Sequence, residues 1–302
     1  MSCIESDIGL EAGRAFRRLL EESVDCSNWR VHFDSDYSIL QQKLIEGEWD
    51  RVGTRRETND DSLNVHDLCH LAEIWGEFLV PLPLIPAIAI HRWYPEIGET
   101  GERALPTFAI PAQHGGSVVP YFGNQTPVAI NEGLSDLGCF GDARIDHVDP
   151  VMLVGYVHAS SAASRESVQD LYALLAAEAI GCAATTLRRA IAHAGDRKAF
   201  GRMIVEFQAI RHRLADMYKD LEIARGSLVR SIMDPGDAQV AACFVFDRCR
   251  AVVEGAIQVH GGLGFTWDAG LHFYLRHVMA LSDVVTVTLP GGGTAFVPND
   301  GQ

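Results

Sequence analysis

Apolar residues at helical spacing dominate the second half of this chain and restrict what it can fold into. The first apolar stripe consists of Leu171, Leu174, Leu175, Cys182, Leu187, Ala190 and Ile191. The second consists of Ile204, Phe207, Ile210, Leu214, Met217, Leu221 and Leu228. A third periodic segment covers residues 237–259, and a short fourth covers residues 271–281. Four amphipathic helices joined by short loops bury their stripes best against one another, which predicts an antiparallel four-helix bundle.

The rest of the chain differs in texture from the bundle. Residues 5–90 also have apolar residues at three-to-four spacing in two stretches, GLEAGRAFRRLLEESV and LNVHDLCHLAEIWGEFLV, and prolines after Val80 end the second of these helices. Short β-type runs separated by Gly, Asn and Asp follow from about Arg103 to Val157. We therefore predict a mainly α chain in three parts: an N-terminal helical domain (1–102), a small β region (103–160), and a C-terminal four-helix bundle with a tail (161–302).

Composition excludes several classes of function. The net charge of −15 argues against a nucleic-acid partner, which would require a basic surface. Seven scattered cysteines, with no secretory leader, predict reduced thiols in a cytoplasmic protein. The longest apolar run, FLVPLPLIPAIAI, is too short to span a bilayer and contains three prolines, so we predict no membrane partner.

Metal sites and common cofactor motifs are not supported by the sequence. His66, Cys69 and His70 share a helix face, but no second Cys or His pair lies nearby to complete a tetrahedral site. The sequence contains no Glu-x-x-His, which di-iron bundle proteins require. It also contains no Rossmann fingerprint, P-loop or Gly-x-Ser-x-Gly elbow. We predict that the chain binds no metal.

Two segments, DRKAFGRMIVEFQAIRHRLADM and QVHGGLGF, combine residues suited to a dinucleotide. We expect Arg197 in a loop before a helix, where an arginine and free backbone N–H groups suit a diphosphate, and Gln208 about two turns inside that helix. An aromatic ring can pack on a flat base, amides can bind a ribose or base, and paired glycines admit close approach. The candidate cofactor-binding residues are Arg197, Phe200, Gln208, Gln258, Gly261 and Gly262. The structural alternative is a loop arginine, a core phenylalanine and C-cap glycines, and residue types alone do not decide between the two.

At these residues the sequence resembles the acyl-CoA dehydrogenase family. R-x-x-F-G from Arg197, with a Gln eleven residues after that Arg, is similar to one motif of the family's bundle. Q-V-H-G-G-x-G-F, followed by Arg276, is similar to the second, and LAEIWGEFLVPLPL resembles the N-terminal helical domain. The resemblance implies that the candidate residues hold the adenine-diphosphate half of an FAD that is bound mainly by a neighbouring subunit.

The chain departs from the family in its β region and at its catalytic base. The family's β domain is about twice as long and carries a Gly-, Ser- and Thr-containing stretch that is not found here. Family members place a catalytic Glu just past the last bundle helix or, in a minority, in the first one. Alignment of this chain puts Val285, Gly292 or Leu171 at those positions, and none is a carboxylate. Asp170 and Asp283 are close in sequence, but Asp170 should point about 100° away from Leu171 on a helix.

Some family members that act on steroid side chains combine two homologous chains, the shorter of which lacks the base. The resemblance therefore implies a non-catalytic subunit of a heteromeric (α2β2) FAD-dependent acyl-CoA dehydrogenase, with a longer homologous subunit as partner. The substrate would be an acyl-CoA, with a steroid side-chain thioester as the expected class. Two alternatives remain: a self-sufficient enzyme with Asp170, Asp283 or another carboxylate as base, and a non-enzymatic scaffold.

Overall fold

The computed structural model describes residues 6–55, 63–95, 105, 165–234 and 238–286, and the backbone of short strands between residues 107 and 157. Its described part is mainly helical, in the order helices, strands, helices, as the sequence predicts. The boundaries of the three predicted domains remain a prediction.

Among the residues that the structure describes, five α-helices precede the strands. They are α1 (Asp7–Ser23), α2 (Trp29–Asp34), α3 (Ser38–Glu46), α4 (Val65–Gly76) and α5 (Leu84–Trp93). Asn64 and Asp67 form a capping box at the start of α4. Asp67 also accepts hydrogen bonds from the backbone N–H and the hydroxyl of Ser6, the N-cap of α1, both at 2.9 Å. One carboxylate therefore caps α4 and fixes the start of α1 against it.

In the predicted β region, the described backbone comprises seven short strands in two sheets. They are β1 (Thr107–Phe108), β2 (Ile110–Pro111), β3 (Ser117–Phe122), β4 (Ala129–Ile130), β5 (Asp136–Leu137), β6 (Arg144–Asp146) and β7 (Met152–Val157). One sheet has the order β1-β4-β5 and the other β2-β3-β7-β6. β3 and β7 pair antiparallel along their whole length. The prediction of strands in this part of the chain is confirmed.

The second half of the chain forms the predicted bundle. Its helices are α6 (Arg165–Asp196), α7 (Gln208–Met233), α8 (Ala238–His260) and α9 (Leu271–Thr286). A hairpin of β8 (Lys198–Ala199) and β9 (Arg202–Met203), then a 3₁₀ turn at Ile204–Glu206, separate α6 from α7. A second 3₁₀ turn, at Gly261–Phe265, follows α8.

The helix α6 occupies the centre of the molecule. Every residue from Leu171 to Ala183 is buried, because α4 and α5 pack on one side of α6 and the other bundle helices pack on the other. A helix that is apolar all round is expected in such a position. The predicted stripe is correct except at Ile191, which lies beyond this packing and is 48% exposed.

The helix α6 is also long and apolar enough to be compared with a membrane-spanning helix. Within the described residues, only Val168–Asp196 is long and apolar enough to cross a bilayer, and 83% of its most apolar window is buried in the protein. Burial of this kind is typical of the core helix of a bundle.

A hydrogen-bonded pair of titratable side chains lies inside the core. The Nε2 of His277, on α9, is 2.8 Å from Oε1 of Glu178, on α6, and both side chains are at most 2% exposed. The second carboxylate oxygen, Oε2, has no hydrogen-bond partner among the described residues. A pair this deeply buried makes α6 and α9 depend on each other, since removal of either partner strands the other in an apolar core.

Candidate functional site

The first motif folds into a tight hairpin at the end of α6. The backbone N–H of Arg197 donates to the His193 carbonyl at 2.9 Å, and the Arg197 carbonyl accepts from the N–H of Ile204 at 2.8 Å. Phe200 and Gly201 form the two-residue turn with φ values of +52° and +81°, the backbone of a type I′ turn. Positive φ is uncommon for a bulky residue such as phenylalanine.

This hairpin exposes the aromatic residue of the motif. Phe200 is 96% exposed, so the alternative that it is a core phenylalanine is wrong. Its ring meets that of Phe207 edge to face at 6.2 Å, and the guanidinium of Arg202 lies 4.1 Å from the centre of the Phe207 ring. The Arg197 side chain is exposed and forms no ion pair with another described residue.

The position of Gln208 differs from the sequence prediction. It is exposed and is the first residue of α7, not two turns inside a helix. The error arose because Ile204 and Phe207 continue the apolar spacing of α7, and a 3₁₀ turn keeps the same i, i+3 spacing. Phe207 itself has extended backbone angles (φ −79°, ψ 131°). Gln208 therefore lies beside Phe207, close to the hairpin.

The second motif lies at the end of α8. Gln258 is exposed in the last turn of that helix, and Gly261 has a φ of +61°, which supports a C-cap role for this glycine. A Cβ on Gly262 would meet nothing within 4 Å, whereas a Cβ on Gly264 would lie 2.6 Å from the Ile257 carbonyl oxygen. Sequence reasoning missed Gly264. At position 264 the neighbouring backbone leaves no room for a side chain. At position 262 the space beside the backbone is open.

A stacked pair of histidines joins the two motifs. His193, one turn before the end of α6, and His260, the last residue of α8, have ring centroids 4.4 Å apart and planes inclined by 21°. Arg189, also on α6, donates to the carbonyl of Ala269 and holds the loop after α8. The ends of α6 and α8 therefore lie side by side. All six candidate residues are at this end of the bundle, which we call the hairpin end.

The hairpin end carries a concentration of positive charge. Between residues 188 and 213 the sequence has seven Arg or Lys and two Asp or Glu, in a chain whose net charge is −15. Next to these charges the loop after α8 exposes large apolar side chains, with Phe265 70%, Leu263 49% and Trp267 49% exposed. A basic surface with flat and aliphatic side chains suits an anion that carries a ring system.

The opposite end of the bundle contains the positions where the family places its base. Leu171 and Val285 are both fully buried. The side-chain amide of Gln239, on α8, donates to the Val285 carbonyl at 3.1 Å and to the Tyr172 hydroxyl at 3.4 Å, which closes this end with hydrogen bonds. The third aligned position, Gly292, is outside the described residues.

The two alternative carboxylates have other surroundings. The Oδ2 atom of Asp170 accepts from Arg92 Nε at 2.9 Å and from Trp93 Nε1 at 2.7 Å. This oxygen already accepts two hydrogen bonds from the protein. It is therefore poorly placed to remove a proton from a substrate carbon. Asp283 is exposed on α9.

The described part of the chain holds no group of three or more His, Cys, Asp or Glu residues arranged to bind a metal ion. Within the predicted His66–Cys69–His70 face, Cys69 is buried, and desolvation raises the pKa of its thiol. A buried, protonated thiol is a poor metal ligand.

The two motifs lie in a part of the chain that is similar to a known domain. Residues 169–282 match the acyl-CoA dehydrogenase C-terminal domain. Among curated relatives, the chain is 39% identical over 105 residues to acyl-CoA dehydrogenase IpdE2 of Mycolicibacterium smegmatis. That match covers 34% of this chain and 34% of the relative, so the aligned part spans about a third of each protein.

Solved structures extend the likeness to the whole fold. The Tcur3481-Tcur3483 steroid ACAD superposes with a TM-score of 0.70 at 20% identity, covering 92% of this chain and 93% of that one. The ChsE4-ChsE5 complex from Mycobacterium tuberculosis superposes with a TM-score of 0.69 at 18% identity, covering 95% of each chain. At these identities the likeness establishes the fold, and the predicted acyl-CoA dehydrogenase-like architecture is confirmed. FAD is bound in solved structures of this fold.

Proposed function

We propose that this chain is the non-catalytic subunit of a heteromeric FAD-dependent acyl-CoA dehydrogenase. The observation that carries the proposal is the difference between the two ends of the bundle. Where the family has its catalytic carboxylate, this chain has buried Leu171 and Val285, and at the hairpin end it exposes Arg197 and Phe200. A positioned base typically contributes about 10²–10⁴-fold to such a reaction, so a chain without one is a poor enzyme by itself.

The residues at the hairpin end have chemistry that fits the adenine-diphosphate half of FAD. Arg197, without an ion pair among the described residues, offers a guanidinium to the diphosphate. The exposed ring of Phe200 can pack on a flat base, and the exposed amides of Gln208 and Gln258 can bond a ribose or base. The open space at Gly262 lets a ligand approach the backbone. When bound, the flavin supplies the acceptor for the substrate's β-hydride.

The separation of the two ends supports a shared cofactor. Leu171 lies near the start of α6 and Asp196 at its end. At a rise of about 1.5 Å per residue, the two positions are roughly 38 Å apart along the helix axis. We infer that the hairpin end serves the FAD of a neighbouring subunit. The basic charge and the exposed Phe265 would then lie against a longer homologous chain that carries the flavin cradle and the base.

We propose α,β-desaturation of an acyl-CoA as the reaction of the complex, with a steroid side-chain thioester as the substrate class. The steroid ACAD with a similar fold supports this class, and so does the short β region, which leaves room for a bulky polycyclic group. Because fold alone does not determine substrate, turnover of a panel of straight-chain and steroid acyl-CoA thioesters by the complex tests this part separately.

The cofactor role is tested by flavin content. This chain is co-expressed with a longer homologous subunit, and FAD per complex is measured after gel filtration for the wild type, Arg197→Ala and Arg213→Ala. Arg213 is an exposed arginine of the same charged segment and provides the matched control. We expect Arg197→Ala to weaken FAD binding by about ten- to a hundredfold with assembly intact, and Arg213→Ala to retain the flavin.

Other outcomes decide for the alternatives. Equal flavin content in the wild type and Arg197→Ala would contradict the cofactor role and favour a scaffold. One FAD per chain and acyl-CoA turnover by the chain purified alone would instead establish a self-sufficient enzyme.

A further inference from the structure

The stacked histidines at the hairpin end have a chemical property that the motif residues lack. His193 and His260 come from different helices, and each lies at the boundary between the bundle and the exposed surface. Both side chains are partly buried, so they contact the protein and are still accessible to solvent. Because imidazole can gain a proton near neutral pH, this pair can change its charge where Arg197 cannot.

The hydrogen bonds leave basic ring nitrogens available. Nδ1 of His260 lies 2.8 Å from the Ala256 carbonyl oxygen, which can only accept, so Nδ1 carries the hydrogen and Nε2 keeps its lone pair in the neutral ring. The ring of His193 makes no hydrogen bond to another described residue. It stacks on the ring of His260. Each ring can therefore accept a proton without losing a bond within the described structure.

Burial and neighbouring positive charges lower the pKa of both histidines in the free chain. Burial lowers the pKa of His193, and the guanidinium of Arg197 lowers it further, against an opposite effect of Asp196. Burial also lowers the pKa of His260, with smaller lowering effects of His193 and Arg189 and an opposing hydrogen bond to Ala256. An anion placed beside Arg197 would oppose the electrostatic part of this effect.

We propose that His193 and His260 act together as a proton-accepting pair in the diphosphate site, taking up one proton from water when a diphosphate binds beside Arg197. The proton resides on a ring nitrogen of the pair, and the imidazolium becomes a second cation for the anion. A second proton is opposed by the first, because the ring centroids are 4.4 Å apart, so the pair gains one charge. This inference rests on the proposed function of Arg197.

The inference predicts that binding is coupled to pH. Because the anion favours the protonated pair, affinity should rise as pH falls, by up to about tenfold per pH unit, until the pair is protonated before binding. The suitable probe is ADP-ribose, an adenine nucleotide whose two phosphates are both esterified and do not titrate in this range. Binding to the flavin-free complex of this chain with the longer homologous subunit is measured by calorimetry from pH 5.5 to 8.5, in two buffers of different ionisation enthalpy, which yields the number of protons taken up.

Three variants separate the possible results. We expect the wild type to take up about one proton per ADP-ribose near neutral pH, and the double variant His193→Gln/His260→Gln to bind with an affinity that no longer depends on pH. His212→Gln, which changes an exposed histidine of the same charged segment, should behave as the wild type. Arg197→Ala should bind more weakly at every pH.

The outcomes also distinguish this inference from the function on which it rests. Binding that requires Arg197 but neither depends on pH nor takes up protons would overturn the histidine pair and leave the proposed function standing. No binding of ADP-ribose, or binding unaffected by Arg197→Ala, would overturn both. If the double variant is poorly folded, the titration of ¹³C-labelled histidines in the wild type decides, because ADP-ribose must raise the apparent pKa of the pair.

Discussion

Gly76 on α4 and Gly181 on α6 face each other across a backbone-to-backbone crossing. A Cβ on Gly76 would collide with the carbonyl oxygen of Glu178, and a Cβ on Gly181 would collide with that of Glu73. The N-terminal helices and the bundle can therefore approach this closely only because neither position has a side chain.

Substitution at this crossing should destabilise the protein. We expect Gly181→Ala to lower the free energy of unfolding by about 1 to 3 kcal/mol, since the helices must separate to admit the methyl group. Gly195→Ala is the matched control in the same helix, because a Cβ there meets nothing within 4 Å, and it should be neutral or stabilise by about 0.5 to 1 kcal/mol. Urea unfolding of both variants tests the prediction, which an equal effect at the two glycines would contradict.

Removing one partner of the buried Glu178 and His277 pair should cost more stability than breaking a surface ion pair. Glu178→Ala leaves His277 without this partner in the core, and we expect it to lower the free energy of unfolding by about 3 to 5 kcal/mol. Glu222→Ala, which breaks a partly exposed pair with Arg225, should cost about 1 kcal/mol or less. A double-mutant cycle with His277→Ala measures the coupling, and additive effects would show that the two side chains do not interact.

Asp170 should be structural and not catalytic. Its carboxylate is the counter-ion of Arg92, which is 7% exposed, and it also accepts from the indole N–H of Trp93. We expect Asp170→Ala to lower the free energy of unfolding by about 2 to 4 kcal/mol, because Arg92 loses its charge partner. The exposed Asp283→Ala should stay within about 0.5 kcal/mol of wild type. A stable Asp170→Ala variant that lost acyl-CoA turnover would instead favour the self-sufficient enzyme.

Acid should destabilise the fold through His32, which is 1% exposed. Its Nε2 lies 3.0 Å from the Leu79 carbonyl, and its Nδ1 lies 2.9 Å from the Tyr37 hydroxyl. Desolvation lowers the pKa of His32 from the ordinary value of 6.5. Below that value the unfolded chain binds more protons than the folded one, so stability falls with pH until the folded pKa is reached.

The measurement is the free energy of unfolding in urea between pH 8 and 5. Each such histidine adds at most about 1.4 kcal/mol per pH unit to the slope below about pH 6.5. His32→Gln should flatten the slope, while His212→Gln, at an exposed position, should leave it unchanged. A slope that is the same in the wild type and His32→Gln would rule out this source of acid sensitivity.

Local patterns were sufficient to predict the helices, the strand-rich region and the two motifs. The spacing of Leu171, Leu214 and their neighbours reports on burial, because a helix face repeats at a fixed interval along the chain. The same spacing placed Gln208 wrongly, since a 3₁₀ turn at Ile204–Glu206 brings residues three apart onto one side as an α-helix does.

The remaining features depend on contacts between residues far apart in sequence. His193 and His260 are 67 positions apart, and Glu178 and His277 are 99 apart, so nothing local to either residue indicates its partner. The exposure of Phe200 was also hidden, because apolar character alone favours burial and only the type I′ turn places this ring outside. The sequence signal is the glycine directly after Phe200, because a type I′ turn favours glycine at its second central position.

The length of α6 has a consequence for how a non-catalytic subunit of the proposed kind can evolve. With Leu171 near one end and the hairpin after Asp196 at the other, substitutions that remove chemistry from the first end leave the second undisturbed. A duplicated copy of an ancestral enzyme could thus lose its own active site one residue at a time while its neighbour continued to select for the far end. Selection would then preserve Arg197 because it serves the neighbouring subunit, which is a different gene product.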